Sequence, residues 1–236
     1  MNYQKIREEA YVANIRIVEA GLVLLTWGNA SVADHETGVF AIKPSGVAYE
    51  DLSAESMVVV DIMSGDTVEG DLKPSSDTDT HAELYRAFDR IGAIVHTHSH
   101  YAVCFAQVPQ SIPILGTTHA DHFRHAIPVT RDMTEEEVTG AYELNTGKVI
   151  VECFRSAGIS DRDVPGVLVA RHGPFAWGST GTKAVDNAIV LEEVARMGMH
   201  TAAIAPDITG APPHLTEKHF TRKHGPQAYY GQSGNT

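Results

Sequence analysis

Apolar residues recur at helical spacing at Ile6, Ala10, Ala13, Ile17 and Ala20, and Gly21 follows where a helix end favours a left-handed residue. Leu22 to Leu25 then reads as a short buried strand running into Thr26-Trp27-Gly28-Asn29-Ala30-Ser31. Val39 to Ile42 is a second apolar run, entered through a turn at Glu36-Thr37-Gly38. Met57 to Asp61 is a third, left through Ser64-Gly65-Asp66. Asp77 or Asp79 can cap a helix carrying Leu84, Tyr85 and Phe88. That helix hands over to an apolar strand beginning at Ile94. Glu135-Glu136-Glu137 opens another helical region, negative where the helix dipole favours it. Thr182 opens a long helix from Lys183 to about His200, with Ala184, Ala188, Leu191 and Ala195 on one face. From Pro206 onward, proline and glycine predict loop, with a short helix near Thr216 to His224.

Helices and strands alternate without the regular βαβ rhythm of a doubly wound sheet. No linker-like segment and no block repeat interrupts the chain. The expectation is one domain over residues 1–236, an α/β fold with helices flanking a mixed or antiparallel sheet.

Composition narrows the function. The 236 residues suffice for a sizeable core, and 43% hydrophobic with 20% charged residues is ordinary for a globular protein. The formal charge of −12 argues against a nucleic acid or an anionic membrane as partner. An anionic substrate would need a locally positive site. Only two cysteines are present, without a CxxC, so neither a disulfide framework nor a thiolate zinc site is indicated. The N-terminus lacks a hydrophobic leader and no run approaches membrane-spanning length, which predicts a soluble cytoplasmic protein.

The chemistry concentrates in Ile94-Val95-His96-Thr97-His98-Ser99-His100. In a strand, residues i and i+2 share a face, so His96 and His98 would present two imidazoles side by side. A third candidate, His172, lies in Val167-Leu168-Val169-Ala170-Arg171-His172-Gly173, again an apolar run ending in histidine then glycine. Neutral imidazole suits Zn²⁺, and three histidine ligands leave a coordination position open, as in catalytic rather than structural zinc sites. Two near-identical tetrapeptides, Lys43-Pro44-Ser45-Gly46 and Lys73-Pro74-Ser75-Ser76, offer hydroxyls and backbone N–H groups beside a lysine. With Gly28 and Asn29 they can form a small phosphate nest. Read alone, they would pass for surface Pro-Ser turns. No Gly-rich dinucleotide or Walker sequence is present.

Taken together, Thr26-Trp27-Gly28-Asn29, Lys43-Pro44-Ser45-Gly46, Pro74-Ser75-Ser76-Asp77-Thr78, His96-Thr97-His98-Ser99, Thr117-Thr118-His119-Ala120-Asp121, Arg171-His172-Gly173-Pro174-Phe175 and Lys223-His224-Gly225 with Ala228-Tyr229-Tyr230-Gly231 carry a family likeness. The chain resembles the class II aldolase family, and within it the L-ribulose-5-phosphate 4-epimerases, over nearly its whole length. Fuculose-phosphate aldolases are relatives. The resemblance implies a three-layer α/β/α fold with a mixed, largely antiparallel sheet, and a homotetramer with sites at subunit boundaries. It implies one zinc ion per chain on His96, His98 and His172, with Asp77 beside or on the metal. Gly28, Asn29, Ser45, Gly46, Ser75 and Ser76 match its substrate and phosphate loops, with Lys43 supplying charge for a phosphorylated ketopentose. Asp121 and Tyr230 match an acid/base pair, and Glu143 and His219 supporting positions. The related aldolases carry Glu where this chain has Asp77, and lack the segment supplying Asp121. Arg171 departs from the pattern, where a smaller polar residue is expected; it should point away from His172 along a strand.

Three other readings compete. A class II aldolase would release its fragments, a non-catalytic adducin-like relative would have lost the metal histidines, and a zinc hydrolase would carry a His-Glu-x-x-His helix, which is absent.

Overall fold

The computed structural model describes residues 3–224 and 228–229. The described residues form a seven-stranded sheet covered by helices on both faces. The strands are β1 (Asn29–Asp34), β2 (Val39–Ile42), β3 (Val58–Asp61), β4 (Thr67–Glu69), β5 (Ala93–His96), β6 (Gly166–Leu168) and β7 (Pro174–Gly178). Their order across the sheet is β4-β3-β2-β1-β5-β7-β6. Every pairing between neighbouring strands is antiparallel. The mixed character expected from the resemblance is reduced to one isolated parallel bridge, Val129 to Leu168.

The helices are α1 (Gln4–Glu19), α2 (Thr78–Ala87), α3 (His100–Gln107), α4 (Thr117–Ala120), α5 (Glu135–Thr139), α6 (Tyr142–Ala157), α7 (Gly181–Ile204) and α8 (Pro213–Lys223). Strand alternation assigns them to faces. Ala30 and Val32 of β1 look toward α1 and α7, whereas Ser31 looks toward α2, where its hydroxyl lies 2.7 Å from both His81 Nδ1 and the Tyr85 hydroxyl. On β7, Phe175 and Trp177 face α2 and α6: Phe88 and Phe154 pack on Trp177 with ring centroids 5.3 Å away. Trp177, Phe40, Phe123, Phe154 and Phe175 are the largest fully buried side chains.

The helical periods materialise as α1, α2 and α7, and β2 spans the expected residues. The long helix is capped by Thr180, whose hydroxyl accepts from Lys183 N, two residues before the expected start. The Glu135 region forms α5 behind a capping box from Thr134 and Glu137.

Three expectations are corrected. Leu22–Leu25 is not a strand: Leu24 and Leu25 are 67% and 78% exposed, and Leu25 turns at φ +54°. A turn closed by Trp27 N–H to Leu24 O delays the strand, and β1 forms at the sheet centre from Asn29–Asp34 instead. The histidine run leaves the sheet at His96, so His98 lies in the following loop. Strand β6 ends at Leu168, and His172 sits in a tight turn before β7, where Val169 N–H donates to Gly173 O and His172 N–H to Val169 O. Arg171 is therefore not a strand residue; it stands in this turn at φ +63°.

Candidate active site

The three histidines arrive from two directions at one end of the sheet. His96 is the last residue of β5, and its ring stacks on Phe175 of β7 at 4.1 Å between centroids. Its Nδ1 lies 3.0 Å from the Pro174 carbonyl, which can only accept, so Nδ1 carries the proton and Nε2 keeps its lone pair. Ring centroids are 5.0 Å apart for His96–His98, 4.8 Å for His96–His172 and 5.0 Å for His98–His172. One nitrogen from each ring lies within 4.8 Å of the others. Burial pushes His172 down to about 3, with the neighbouring imidazoles adding to the shift, and also lowers His98. Both rings are thus neutral at physiological pH, the form that ligates a metal. Three imidazoles without thiolates fit zinc and leave a position for substrate.

Two glycines make this approach possible. A Cβ on Gly28, at φ +91°, would lie 2.7 Å from His96 O. A Cβ on Gly173 would lie 2.8 Å from Thr97 O. Both contacts are with backbone, which cannot swing aside.

The Lys-Pro-Ser loops pair with each other. Ser45 N–H donates to Lys73 O, Ser75 N–H to Lys43 O, and Pro44 bridges Pro74. Lys43 is buried; its ammonium donates to Val47 O at 2.7 Å and lies 4.9 Å from the centre of the Tyr49 ring. The Tyr49 hydroxyl donates to Gly28 O at 2.9 Å, tying this loop to the glycine beside His96. No carboxylate pairs with Lys43 among the described residues, so its charge is available to an anion. Desolvation lowers its pKa.

Asp77 precedes α2 at the cap position, yet its side chain does not cap the helix. Its Oδ2 accepts instead from Asn29 Nδ2 at 2.7 Å, and the same amide reaches Ser75 Oγ at 3.1 Å. Burial would raise the Asp77 carboxyl, but the imidazoles of His96 and His81 and the Asn29 amide outweigh it and hold it below the usual range. Asn29 Oδ1 is buried and has no hydrogen-bond partner among the described residues. Asn29 itself is one of the residues that line a cleft.

That cleft, about 430 Å³, is lined by Gly28, Asn29, Lys43, Ser45, Gly46, Ser75, Ser76, Asp77, His96, His98 and His172. Thr26, Trp27, Pro44, Tyr142 and Glu143 complete it. Tyr142 was not anticipated; it opens α6 and its hydroxyl lies 3.4 Å from His172 Nδ1. Nothing local in the sequence marks it, because its place depends on α6 folding back over the His172 turn. His81 was also missed: it is fully buried, four residues after Asp77 on α2.

Asp121 does not line this cleft. It ends α4 and is bound by α8, with Arg222 Nη2 at 2.7 Å, His219 Nδ1 at 2.9 Å and Lys223 Nζ at 3.5 Å. Burial opposes its charge, but Arg222, His219 and Lys223 win and keep the carboxyl below its ordinary value. Tyr230 lies outside the described residues.

Comparison with known proteins agrees with this fold. A solved L-fuculose 1-phosphate aldolase superposes with a TM-score of 0.79 at 26% identity, over 94% of this chain and 97% of its own. YgbL from Klebsiella pneumoniae, provisionally described as an aldolase, epimerase or decarboxylase, superposes at 0.72 with 25% identity, over 92% and 99%. The L-fuculose-1-phosphate aldolase of Thermus thermophilus, at 23% identity, shares the fold with a TM-score of 0.66 over 89% and 100%. The family described as class II aldolase and adducin N-terminal domain matches residues 8–199, and the chain belongs to it.

Proposed function

We propose that the protein is a zinc-dependent epimerase that interconverts L-ribulose 5-phosphate and D-xylulose 5-phosphate. The observation that carries this reading is the single cleft that three imidazoles, the Asp77 carboxylate and the Lys43-bearing loops all face. A phosphorylated ketose needs an anion hold at one end and an electrophilic centre at the other, and this cleft supplies residues for both.

The two sugars differ at C4, whose hydrogen is not acidic, so simple deprotonation there cannot invert it. Cleavage of C3–C4 can: the C4 hydroxyl loses its proton, the bonding electrons pass into the C2 carbonyl, and glycolaldehyde phosphate separates from a dihydroxyacetone enediolate. Rotation of the aldehyde and re-addition invert C4. When bound by His96, His98 and His172, a zinc ion supplies the Lewis acid that stabilises negative charge developing on substrate oxygen. Ser45, Gly46, Ser75, Ser76 and Lys43 hold the phosphate, so the aldehyde fragment stays in place while it turns. The Asn29 amide keeps Asp77 oriented. Asp121 and Tyr230 exchange the C4 hydroxyl proton on the two faces of the aldehyde, contributed by a neighbouring copy in a homotetramer. Asp121's position outside its own cleft supports that shared site.

Asp77 favours the epimerase over a fuculose-phosphate type of aldolase, whose longer Glu acts as a base at this place. The short Asp77 side chain is tethered by Asn29 at 2.7 Å. The aldolase reading draws on the neighbour named L-fuculose 1-phosphate aldolase. Incubation of the metal-loaded protein with L-ribulose 5-phosphate separates them. D-Xylulose 5-phosphate should accumulate without release of free fragments. Net cleavage of a ketose 1-phosphate with no epimerised product would establish the aldolase, and no turnover of either would refute both.

A further inference from the structure

His98 and His172 stand on loops beyond the β5–β7 pairing, which brings the loops to one end of the sheet but includes neither residue. The two loops meet opposite ends of one element, α3. Ser99, directly after His98, is the residue at the start of that helix. There Glu192 of α7 places its two carboxylate oxygens on the backbone N–H groups of Tyr101 and Ala102, each at 2.9 Å. This satisfies two otherwise unpaired donors and sets a negative charge at the positive end of the helix dipole.

The other end is held by the residue before His172. Arg171 N–H donates to Ala106 O at 2.9 Å, and its guanidinium Nη1 donates to Gln107 O. A cation thus closes the carbonyl end of α3. Arg171 adopts φ +63°, uncommon for a residue with a long side chain and maintained only where the surroundings over-determine it. Its contact with Asp132, Nε to Oδ1 at 3.1 Å, is exposed on both sides and screened by solvent. The carbonyl contacts at α3 therefore carry the link.

We propose that α3 is a strut clamped by Glu192 at one end and Arg171 at the other, and that it sets the spacing of His98 and His172. Both clamps are positioning residues; neither lines the cleft. The inference rests on the metal-centre reading above. Without the guanidinium, the His172 turn keeps its backbone bond to Ala106 but loses its hold on the last carbonyl of α3. The third imidazole then drifts relative to the second.

Cobalt(II) titration of the metal-stripped full chain tests this, followed by visible absorption and by competition with a chelating dye, with melting of the metal-free proteins alongside. Arg171→Ala and Glu192→Gln should each bind cobalt on the order of tenfold more weakly, with an altered absorption band. Their metal-free melting should stay close to wild type. Arg171→Lys should recover most of the affinity, because an ammonium can still reach the Gln107 carbonyl. Absence of saturable binding by the wild type would overturn the metal centre and the strut together. Wild-type binding matched in affinity and spectrum by both variants would overturn the strut alone. So would a loss of affinity that only tracks a fall in metal-free melting.

Discussion

Pro174 contributes a carbonyl to the site, and that carbonyl decides which nitrogen His96 offers. The 3.0 Å contact fixes the proton on Nδ1, leaving the Nε2 lone pair for a metal. His96→Asn should therefore lower bound metal and turnover together, as elemental analysis beside an activity assay would report; full activity in metal-free protein would refute the centre. Asp121 poses a different problem, because its carboxylate is held on Arg222, His219 and Lys223 instead of the cleft. The proposed proton exchange predicts that Asp121→Asn and Tyr230→Phe each lose about 10²–10⁴ in turnover while metal content stays full. Normal turnover in Tyr230→Phe with a crippled Tyr229→Phe would move the role by one position. At this scale the sequence was legible where residue type alone restricts chemistry, as for the three histidines, whereas the two lysine loops read alone as surface turns. It was silent on Tyr142 and His81, ordinary residues whose significance is a neighbour distant in sequence.

Among the elements, the loops that build the site depend on close backbone approach. Gly173 passes so near Thr97 O that a methyl group would lie 2.8 Å from it. Gly173→Ala should displace the His172 turn and reduce metal occupancy at least tenfold, measured by equilibrium dialysis, with circular dichroism unchanged. Gly158→Ala is the contrasting case: it caps α6 at φ +62° with nothing within 4 Å of the added methyl. It should cost about 1 kcal/mol of stability and leave metal binding intact. Equal metal loss in both variants would show that general destabilisation, not the contact with Thr97, is responsible. The element reading also shows why Leu22–Leu25 misled. Four apolar residues read as core, yet Leu24 and Leu25 are exposed, and β1 is built from the mostly small Asn29–Asp34 that sit between β2 and β5. Apolar content signals burial only when the chain direction permits it.

For the whole molecule, burial of a neutral histidine couples the fold to pH. His119 is 3% exposed, its Nε2 lacks a hydrogen-bond partner among the described residues, and burial pushes its pKa down to about 4. The unfolded chain binds this proton at about 6.5, so between those values the unfolded state holds more protons. Stability from this residue is complete above about pH 6.5 and falls as the pH drops toward about 4, by about 3 kcal/mol in all. Urea unfolding across that window should give a shallower pH slope in His119→Gln than in wild type; equal slopes would exclude His119 as the cause. The shared site makes a second prediction at this scale. Mixing inactive His96→Asn with inactive Asp121→Asn protein, after subunit exchange, should restore a fraction of the activity, because hybrid assemblies contain some intact clefts. No recovery in verified hybrids would place both residues within one subunit's function.

By itself, the sequence determined the properties that depend on residue type and short-range period. These are the helical faces of α1, α2 and α7, the apolar strands β2, β3 and β5, the imidazoles, and the family likeness that order and spacing of motifs express. Tertiary structure decided which of these meet. His96, His98 and His172 converge because β5 pairs with β7 and because Gly28 and Gly173 admit loops to within contact of the histidine backbone. The two lysine loops face one cleft because Pro44 and Pro74 bridge, a pairing across thirty positions that no local period encodes. Asp77 leaves its helix cap for Asn29 for the same reason. A side chain's partner is chosen by the geometry of segments far apart in sequence, and that geometry is a property of the packed core.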